Sequence, residues 1–296
     1  MEKVTKIIDR KGFAETYTVE ECCEILDSQR VPIKGSERSA GEYPYYGANG
    51  IQDYVDDYIF DDELVLLAED GGNFGSKIRP IAYRVSGKCW VNNHAHVLKP
   101  KSMIDVDYLC YSLMFYDTNG LVNGATRQKL TQATMRKMKI PKITLEEQLK
   151  IVEKLKKVQG VITKKRKQLE GLDILIKARF VEMFGDPVLN DKKFSTLSGE
   201  DFFKLSNGKA VPEEKRHEVG IPAYGGNGIS WYTNEVLRVE DTLVVGRVGF
   251  QSGNVHYAVG PLWITDNAMY ISQYDKGKIN LVFLCELMQR VNFSRF

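Results

Sequence analysis

The 296-residue chain contains no C-x-x-C pair, no H-E-x-x-H, no G-x-x-x-x-G-K-[ST] loop and no Asn/Asp-Pro-Pro-Tyr/Phe methyltransferase motif. These absences argue against a zinc ribbon, a zincin, a P-loop NTPase and a stand-alone methyltransferase. The five cysteines (Cys22, Cys23, Cys89, Cys110 and Cys285) form an odd, unpaired set that fits a reducing compartment rather than a disulfide framework. The start, MEKVTKIIDRKGF, lacks the apolar run of a signal peptide, and no stretch approaches the roughly 18 apolar residues of a membrane span, so a cytoplasmic protein is expected. His94 and His96 alternate along an expected strand with no cysteine or acidic partner at metal spacing, so no metal site is expected. Asp56, Asp57, Asp61 and Asp62 read as solvated turn carboxylates. A dominant charge is lacking too: the net charge is +2, and a nucleic-acid binder is marked by clusters rather than by the sum. What remains is a globular composition, 43% apolar and 27% charged, long enough for two domains with cores of their own.

One structural unit occurs twice. YPYYGANGI at residues 43–51 matches IPAYGGNGI at 221–229, pairing Pro44 with Pro222, Tyr46 with Tyr224, Gly47 with Gly225 and Asn49 with Asn227. The interval is far too long for a solenoid. The match continues as Leu64-Val65-Leu66 against Leu243-Val244-Val245, Trp90 and Ala95 against Trp263 and Ala268, and Leu109-Cys110 against Leu284-Cys285. Each copy alternates β-branched or aromatic runs (58–60, 64–67, 80–83 and 89–91 in the first) with Gly, Asn and Asp turns, which predicts a mostly antiparallel sheet. A helix follows in each, near 107–115 and 281–291, so the fold class is α+β. The glycines and Asn49 or Asn227 of the shared turn suit left-handed backbone, and both copies keep it, so it shapes the unit. The loops that differ carry more information: 69–79 in the first copy and 246–254 in the second are glycine-rich, with cations and amides suited to phosphates and base edges. An ordinary hairpin loop is the alternative.

Between the copies, residues 145–184 have no proline and few glycines. Apolar residues at Ile151, Leu155, Val158, Ile162, Leu169, Leu172, Ile176 and Met183 fall at alternating steps of four and three, with Lys165 and Arg179 in the two remaining seam positions. That is a heptad seam on a coiled-coil-type helix about 60 Å long. Left in water, eight such side chains forgo roughly 12–24 kcal/mol, so the seam calls for a partner. Lys150, Lys154, Lys156, Lys157, Lys164, Lys165, Arg166 and Lys167 face only Glu153 in the same window, and Arg127, Lys129, Arg136, Lys137, Lys139 and Lys142 precede them. A solvated face or contact with phosphate or an acidic partner explains such a run.

The run Leu130-Thr131-Gln132, Ile140-Pro141, Leu145-Glu146-Glu147-Gln148 and Phe184-Gly185-Asp186-Pro187 resembles the DNA-specificity subunit of type I restriction-modification systems. The resemblance implies two target-recognition domains (1–144 and 187–296) on a spacer helix (145–186), each reading half of a bipartite site in double-stranded DNA. It also implies methyltransferase subunits docked on the helix and a restriction/translocase subunit, with S-adenosylmethionine and ATP/Mg bound by those partners and no cofactor or catalytic residue in this chain. Candidate DNA contacts are Lys77, Arg79, Arg127, Gln128 and Lys129 in the first unit and Arg247, Gln251, Ser252 and Asn254 in the second. One departure stands out: the second copy stops at the equivalent of about Leu121, without the closing Thr-Arg-Gln-Lys segment and the second helix of the family. The expectation is a truncated specificity subunit whose helix pairs with that of another chain. The alternative is a regulatory fragment or domain-exchange cassette acting through protein contacts.

Overall fold

The computed structural model describes residues 15–124, 127–250 and 252–291. The chain divides into two compact units, 1–165 and 166–296. The first comprises β1 (Thr16–Thr18), α1 (Val19–Cys22), β2 (Cys23–Ile25), β3 (Ala40–Gly47), β4 (Gly50–Val55), β5 (Phe60–Ala68), β6 (Ala82–Val91), β7 (Ala95–Pro100), α2 (Val106–Met114), α3 (Gln132–Arg136), β8 (Lys139–Pro141) and the start of α4 (Leu145–Phe184). Its main sheet runs β2-β7-β5-β6-β3-β4, antiparallel except for β3 beside β6. β5 lies at the centre and is buried on both faces. Val65 and Leu67 pack with Leu109, Cys110 and Leu113 of α2, while Leu64 and Leu66 pack with Val85, Cys89 and Val97. This two-sided burial explains why 64–68 is a continuous apolar run rather than an alternation.

The second unit contains β9 (Phe203–Asn207), β10 (Ile221–Gly225), β11 (Gly228–Thr233), β12 (Thr242–Gly246), β13 (Val255–Ala258), β14 (Trp263–Ile264), β15 (Ala268–Tyr274) and α5 (Leu281–Arg290). Its sheets run β13-β12-β15-β9 and β11-β10-β14. The duplication is visible in the register. The parallel pairs Tyr45–Trp90 and Tyr46–Val91 recur as Ala223–Trp263 and Tyr224–Ile264. The bulge between Tyr45 and Tyr46 recurs between Ala223 and Tyr224. Trp90 Nε1 donates to Val31 O (2.7 Å) and Trp263 Nε1 to Lys209 O (2.8 Å). The helices α2 and α5 are capped alike, by Asp105 and Asn280 side chains that each accept from two backbone N–H groups.

Two sequence expectations shift. Ala95 pairs with Ala68 and its counterpart Ala268 with Gly246, so Val65, not Leu64, is equivalent to Leu243. Burial agrees: Leu243 and Val245 face α5 as Val65 and Leu67 face α2. His94 precedes β7 in a turn, and only His96 lies on the strand.

α4 is one continuous helix of 40 residues. It opens on a capping box, Thr144 N donating to Glu147 Oε2 (3.0 Å) and Glu147 N to Thr144 Oγ1 (3.3 Å). It closes at Gly185, whose φ of +73° gives the left-handed stop ahead of Pro187. Within the first unit its inner face buries Val152, and Lys156 Nζ meets Asp107 Oδ2 at 2.6 Å, a counter-ion from α2 that the local window hid. Gln148 is wholly buried: Nε2 donates to Met103 O and Ile143 O, and Oε1 accepts from Asp105 N. Gln148→Leu leaves these groups unpaired and is expected to cost about 1–3 kcal/mol, read as a lower urea midpoint with an unchanged m-value. Within the second unit, Phe180 and Phe184 pack on Phe283 of α5 at 5.6 and 5.0 Å. The eight seam residues stay open, from 37% exposed at Ile151 to 64% at Leu169.

Candidate nucleic-acid interface

In the first unit the turn between the paired hairpin strands meets the loop after the central strand, and in the second the two border one cavity. In the first, Asn49 Nδ2 donates to Gly71 O and Asn73 Nδ2 donates to Asn49 Oδ1, both at 3.0 Å. The shared Tyr-Gly-x-Asn-Gly turn thus braces the variable loop here. Ser76 Oγ accepts from the backbone N–H of Ile78 and Arg79, holding the tip that carries Lys77 and Arg79. Both cations are exposed, and neither has an ion-pair partner among the described residues.

The segment around Arg127, Gln128 and Lys129 joins the same loop. Leu130 N donates to Glu69 O (2.7 Å) and Gly71 N to Gln128 O (3.3 Å). Arg127 and Lys129 are already neutralised, however. Arg127 NH2 lies 2.9 Å from Asp70 Oδ1, which also contacts His94 Nδ1 at 2.6 Å, and Lys129 Nζ lies 3.1 Å from Glu69 Oε1. Of the first unit's four candidate cations, Lys77 and Arg79 are the two without an ion-pair partner among the described residues, and Gln128 is exposed.

Beneath this loop lies a buried polar network that sequence reasoning missed. His96 is fully buried: Nδ1 lies 2.6 Å from Asp27 Oδ2, and Nε2 donates to Leu130 O (2.9 Å). Asp27 also accepts from Val97 N and Gln132 Nε2, while Arg30 bridges Asp27 (3.5 Å) and Glu69 (2.7 Å). Burial pushes both carboxyls up. Hydrogen bonds to His96, Gln132 and Val97 outweigh it at Asp27, and those to Arg30 and Lys129 at Glu69, so both sit below their ordinary values. His96 therefore does have acidic partners, brought from far along the chain. Their ligand atoms and that of His96 lie within 4.8 Å of one another, an arrangement able to hold a cation. Here the guanidinium of Arg30 already bridges the two carboxylates. The Leu130-Thr131-Gln132 run earns its place in this network: Leu130 accepts from His96, Thr131 caps α3, and Gln132 holds Asp27.

In the second unit the loop after β12 is a hairpin. Gly246 N donates to Asn254 O and Gly253 N to Gly246 O, both at 2.8 Å, and Ser252 Oγ donates to Arg247 O (3.2 Å). Arg247, Ser252 and Asn254 are exposed on it; Gln251 lies outside the described residues. The hairpin is anchored as in the first unit, Arg247 N donating to Asn267 O (3.0 Å) where Glu69 N donates to His94 O (2.9 Å). Phe250, at the tip, is fully exposed. A cavity of about 520 Å³ opens beside it, reaching Arg216, Asn227, Trp231 and Thr265. These residues were not among the sequence candidates. Aligning the copies position by position would have flagged two of them, since Asp53 becomes Trp231 and Asn92 becomes Thr265.

All five cysteines are buried and unpaired, and burial pushes the Cys89 and Cys110 thiols up to about 12, so they pack as small apolar groups. No helix among the described residues is long and apolar enough to cross a membrane.

Two α+β units with repeated register, carrying chemically different loops after the central strand and joined by a 40-residue helix, define a duplicated scaffold. Residues 13–171 match the family described as the type I restriction modification DNA specificity domain, and the chain belongs to that family. It is 38% identical over 138 residues to S.HindORF215P of Haemophilus influenzae, an inferred type I restriction enzyme specificity subunit. That match covers 47% of this chain and 35% of the relative, so the aligned region spans about a third of the relative's length. The fold is similar to that of the type I restriction-modification S subunit of M. genitalium, with a TM-score of 0.55 and 16% identity over 95% of this chain and 78% of that one. The HsdS subunit of Thermoanaerobacter tengcongensis also aligns, over 93% of this chain and 78% of that one, at 13% identity and a TM-score of 0.35.

Proposed function

We propose that the chain is a non-catalytic DNA-recognition subunit of a type I restriction-modification complex. Segments 1–144 and 187–296 each read one half of a bipartite site in double-stranded DNA, and segment 145–186 sets the spacing between the halves. The observation that carries this reading is the repeated anchoring of two chemically different loops on one scaffold, at 69–79 and 246–254, within a chain of the specificity family. Conserved framework with divergent tips is what two readers of different half-sites need, because phosphate contacts position a protein while base contacts specify the sequence. Lys77, Arg79, Gln128, Arg247, Ser252 and Asn254 are the proposed contacts. Arg127 and Lys129 act on DNA only by exchanging Asp70 and Glu69 for phosphate. Gln251 is proposed from sequence alone.

The exposed seam of α4 pairs with a helix of like pattern, and methyltransferase subunits dock on the helix. Those subunits bind S-adenosylmethionine, a restriction/translocase partner binds ATP and Mg, and this chain itself takes no cofactor. Co-expression with the cognate methyltransferase tests the proposal. Methylome sequencing is expected to reveal one bipartite motif, and Lys77→Ala with Arg79→Ala to weaken binding with a smaller salt slope. Methylation without a defined motif would refute it.

A further inference from the structure

The two units differ most informatively at the floor of the second unit's cavity. In the first unit Asn92 Nδ2 donates to Gln52 Oε1 (3.0 Å), and the Gln52 amide fills the space over Gly47, where an added Cβ would meet its nitrogen at 2.2 Å. Arg38 donates to Ile33 O (3.2 Å) and to Asp53 Oδ2 (3.2 Å). The second unit keeps the frame: Thr265 N donates to Tyr224 O as Asn92 N does to Tyr46 O, and Arg216 donates to Val211 O as Arg38 does to Ile33 O. Three side chains change on it. Gln52 becomes Ser230, Asn92 becomes Thr265 and Asp53 becomes Trp231.

Shortening the first two removes the plug. What is left is the cavity of about 520 Å³, with Thr265 among the residues that line it. Thr265 is 6% exposed, and its Oγ1 has no hydrogen-bond partner. An unpaired buried hydroxyl costs stability, and a ligand that pairs it recovers that loss. Losing Asp53 leaves Arg216 without an acidic partner among the described residues, and its guanidinium lies over the Trp231 ring at 5.2 Å. Asn227 and Asn267 add amides, and Asp266 adds a carboxylate that disfavours an anion. Phe250 stands fully exposed at the rim.

We propose that this cavity receives a single nucleobase of the target DNA, drawn out of the base stack, with Trp231 against its face, Thr265 Oγ1 and the rim amides on its edge, and Phe250 filling the gap left in the duplex. The proposal rests on the DNA-recognition reading above. A flat ring edged with donors and acceptors matches aromatic walls and neutral amides, and a base within the stack shows only its groove edge, which cannot reach a hydroxyl this buried. An exposed apolar side chain wedged between base steps is an established way of opening the stack.

The test uses the full chain purified in the complex its host supplies. Duplexes are selected from a randomised pool by the native chain, by S230Q/T265N, which restores the first unit's plug, and by T265V, which removes only the hydroxyl. One position in one half-site is expected to lose its preference by about tenfold or more in both variants, with the other half-site unchanged. A mismatch placed opposite that base is expected to tighten binding by the native chain and not by S230Q/T265N, because an unpaired base costs less to extrude. Unaltered preferences in both variants, or no gain from the mismatch with the native chain, overturns the proposal while leaving DNA recognition intact. If the native chain selects no sequence at all, the recognition reading fails and this proposal with it. Should S230Q/T265N not fold, T265V and the native chain's response to the mismatch decide the matter.

Discussion

Asp27→Ala is expected to destabilise the first unit by about 3–5 kcal/mol, the range for removing one partner of a buried charged pair. The carboxylate is 7% exposed and serves Val97 N, His96 Nδ1, Gln132 Nε2 and the Arg30 guanidinium. Alanine leaves the buried Val97 N–H and His96 Nδ1 unpaired, and these desolvated groups cannot turn to water. Thermal or urea unfolding measures the loss. Asp27→Asn keeps an acceptor, though it faces donors with a weaker one, and should fall between. The same carboxyl, with Glu69, sets an acid limit. Both sit below their ordinary values of 3.8 and 4.5 when folded. The unfolded chain therefore binds protons first as pH falls, so the stability these groups contribute is complete above their ordinary values and is lost as pH drops through the folded ones. The melting temperature is expected to hold steady down to about pH 5 and decline below about pH 4. Asp27→Asn, lacking one of the titrating groups, should show a shallower decline. Identical acid slopes for the two proteins would remove Asp27 from the account.

Local patterns made much of the fold legible. The turn Tyr43–Ile51 and its copy, the helices α2 and α5, the opening of α4 at Leu145–Gln148 and the stop at Gly185 all depend on neighbours within a few residues. The register between copies slipped by one because both faces of β5 are buried. Leu64 and Val65 are equally apolar, and nothing alternates to mark which one faces the helix. The candidate interface was legible as loops and only partly as side chains. Lys77, Arg79 and Arg247 stand exposed, but Arg127 and Lys129 meet Asp70 and Glu69, the acids at the start of the same glycine-rich loop. The Asp27, Glu69 and His96 cluster has no sequence signature, since it draws on a short 3-10 helix, the residue after a strand and a strand interior separated by dozens of residues. Thr265 and Trp231 became meaningful only against Asn92 and Asp53, in a comparison that needs the hydrogen-bonded register to be right.

Replacing Ile162 and Leu169 together with lysine is expected to abolish association through α4. The two side chains are 46% and 64% exposed in the chain by itself, so pairing has about half of each left to bury. At about 1–1.5 kcal/mol per half-buried side chain, two sites on each of two helices supply about 4–6 kcal/mol. That is roughly a thousandfold or more in the dissociation constant, before the repulsion of lysines added on either side of Lys165. Ile174 is a stringent control: it is 67% exposed but lies off the seam, two residues beyond Leu172, so Ile174→Lys removes as much apolar surface and should leave association unchanged. Sedimentation across a concentration series measures the equilibrium, and far-UV circular dichroism reports the helix. A native chain that sediments as a monomer at micromolar concentration with α4 fully helical would show that the stripe tolerates water unaided. Equal loss of association in Ile174→Lys would show that surface hydrophobicity in general, rather than the heptad seam, holds the chains together.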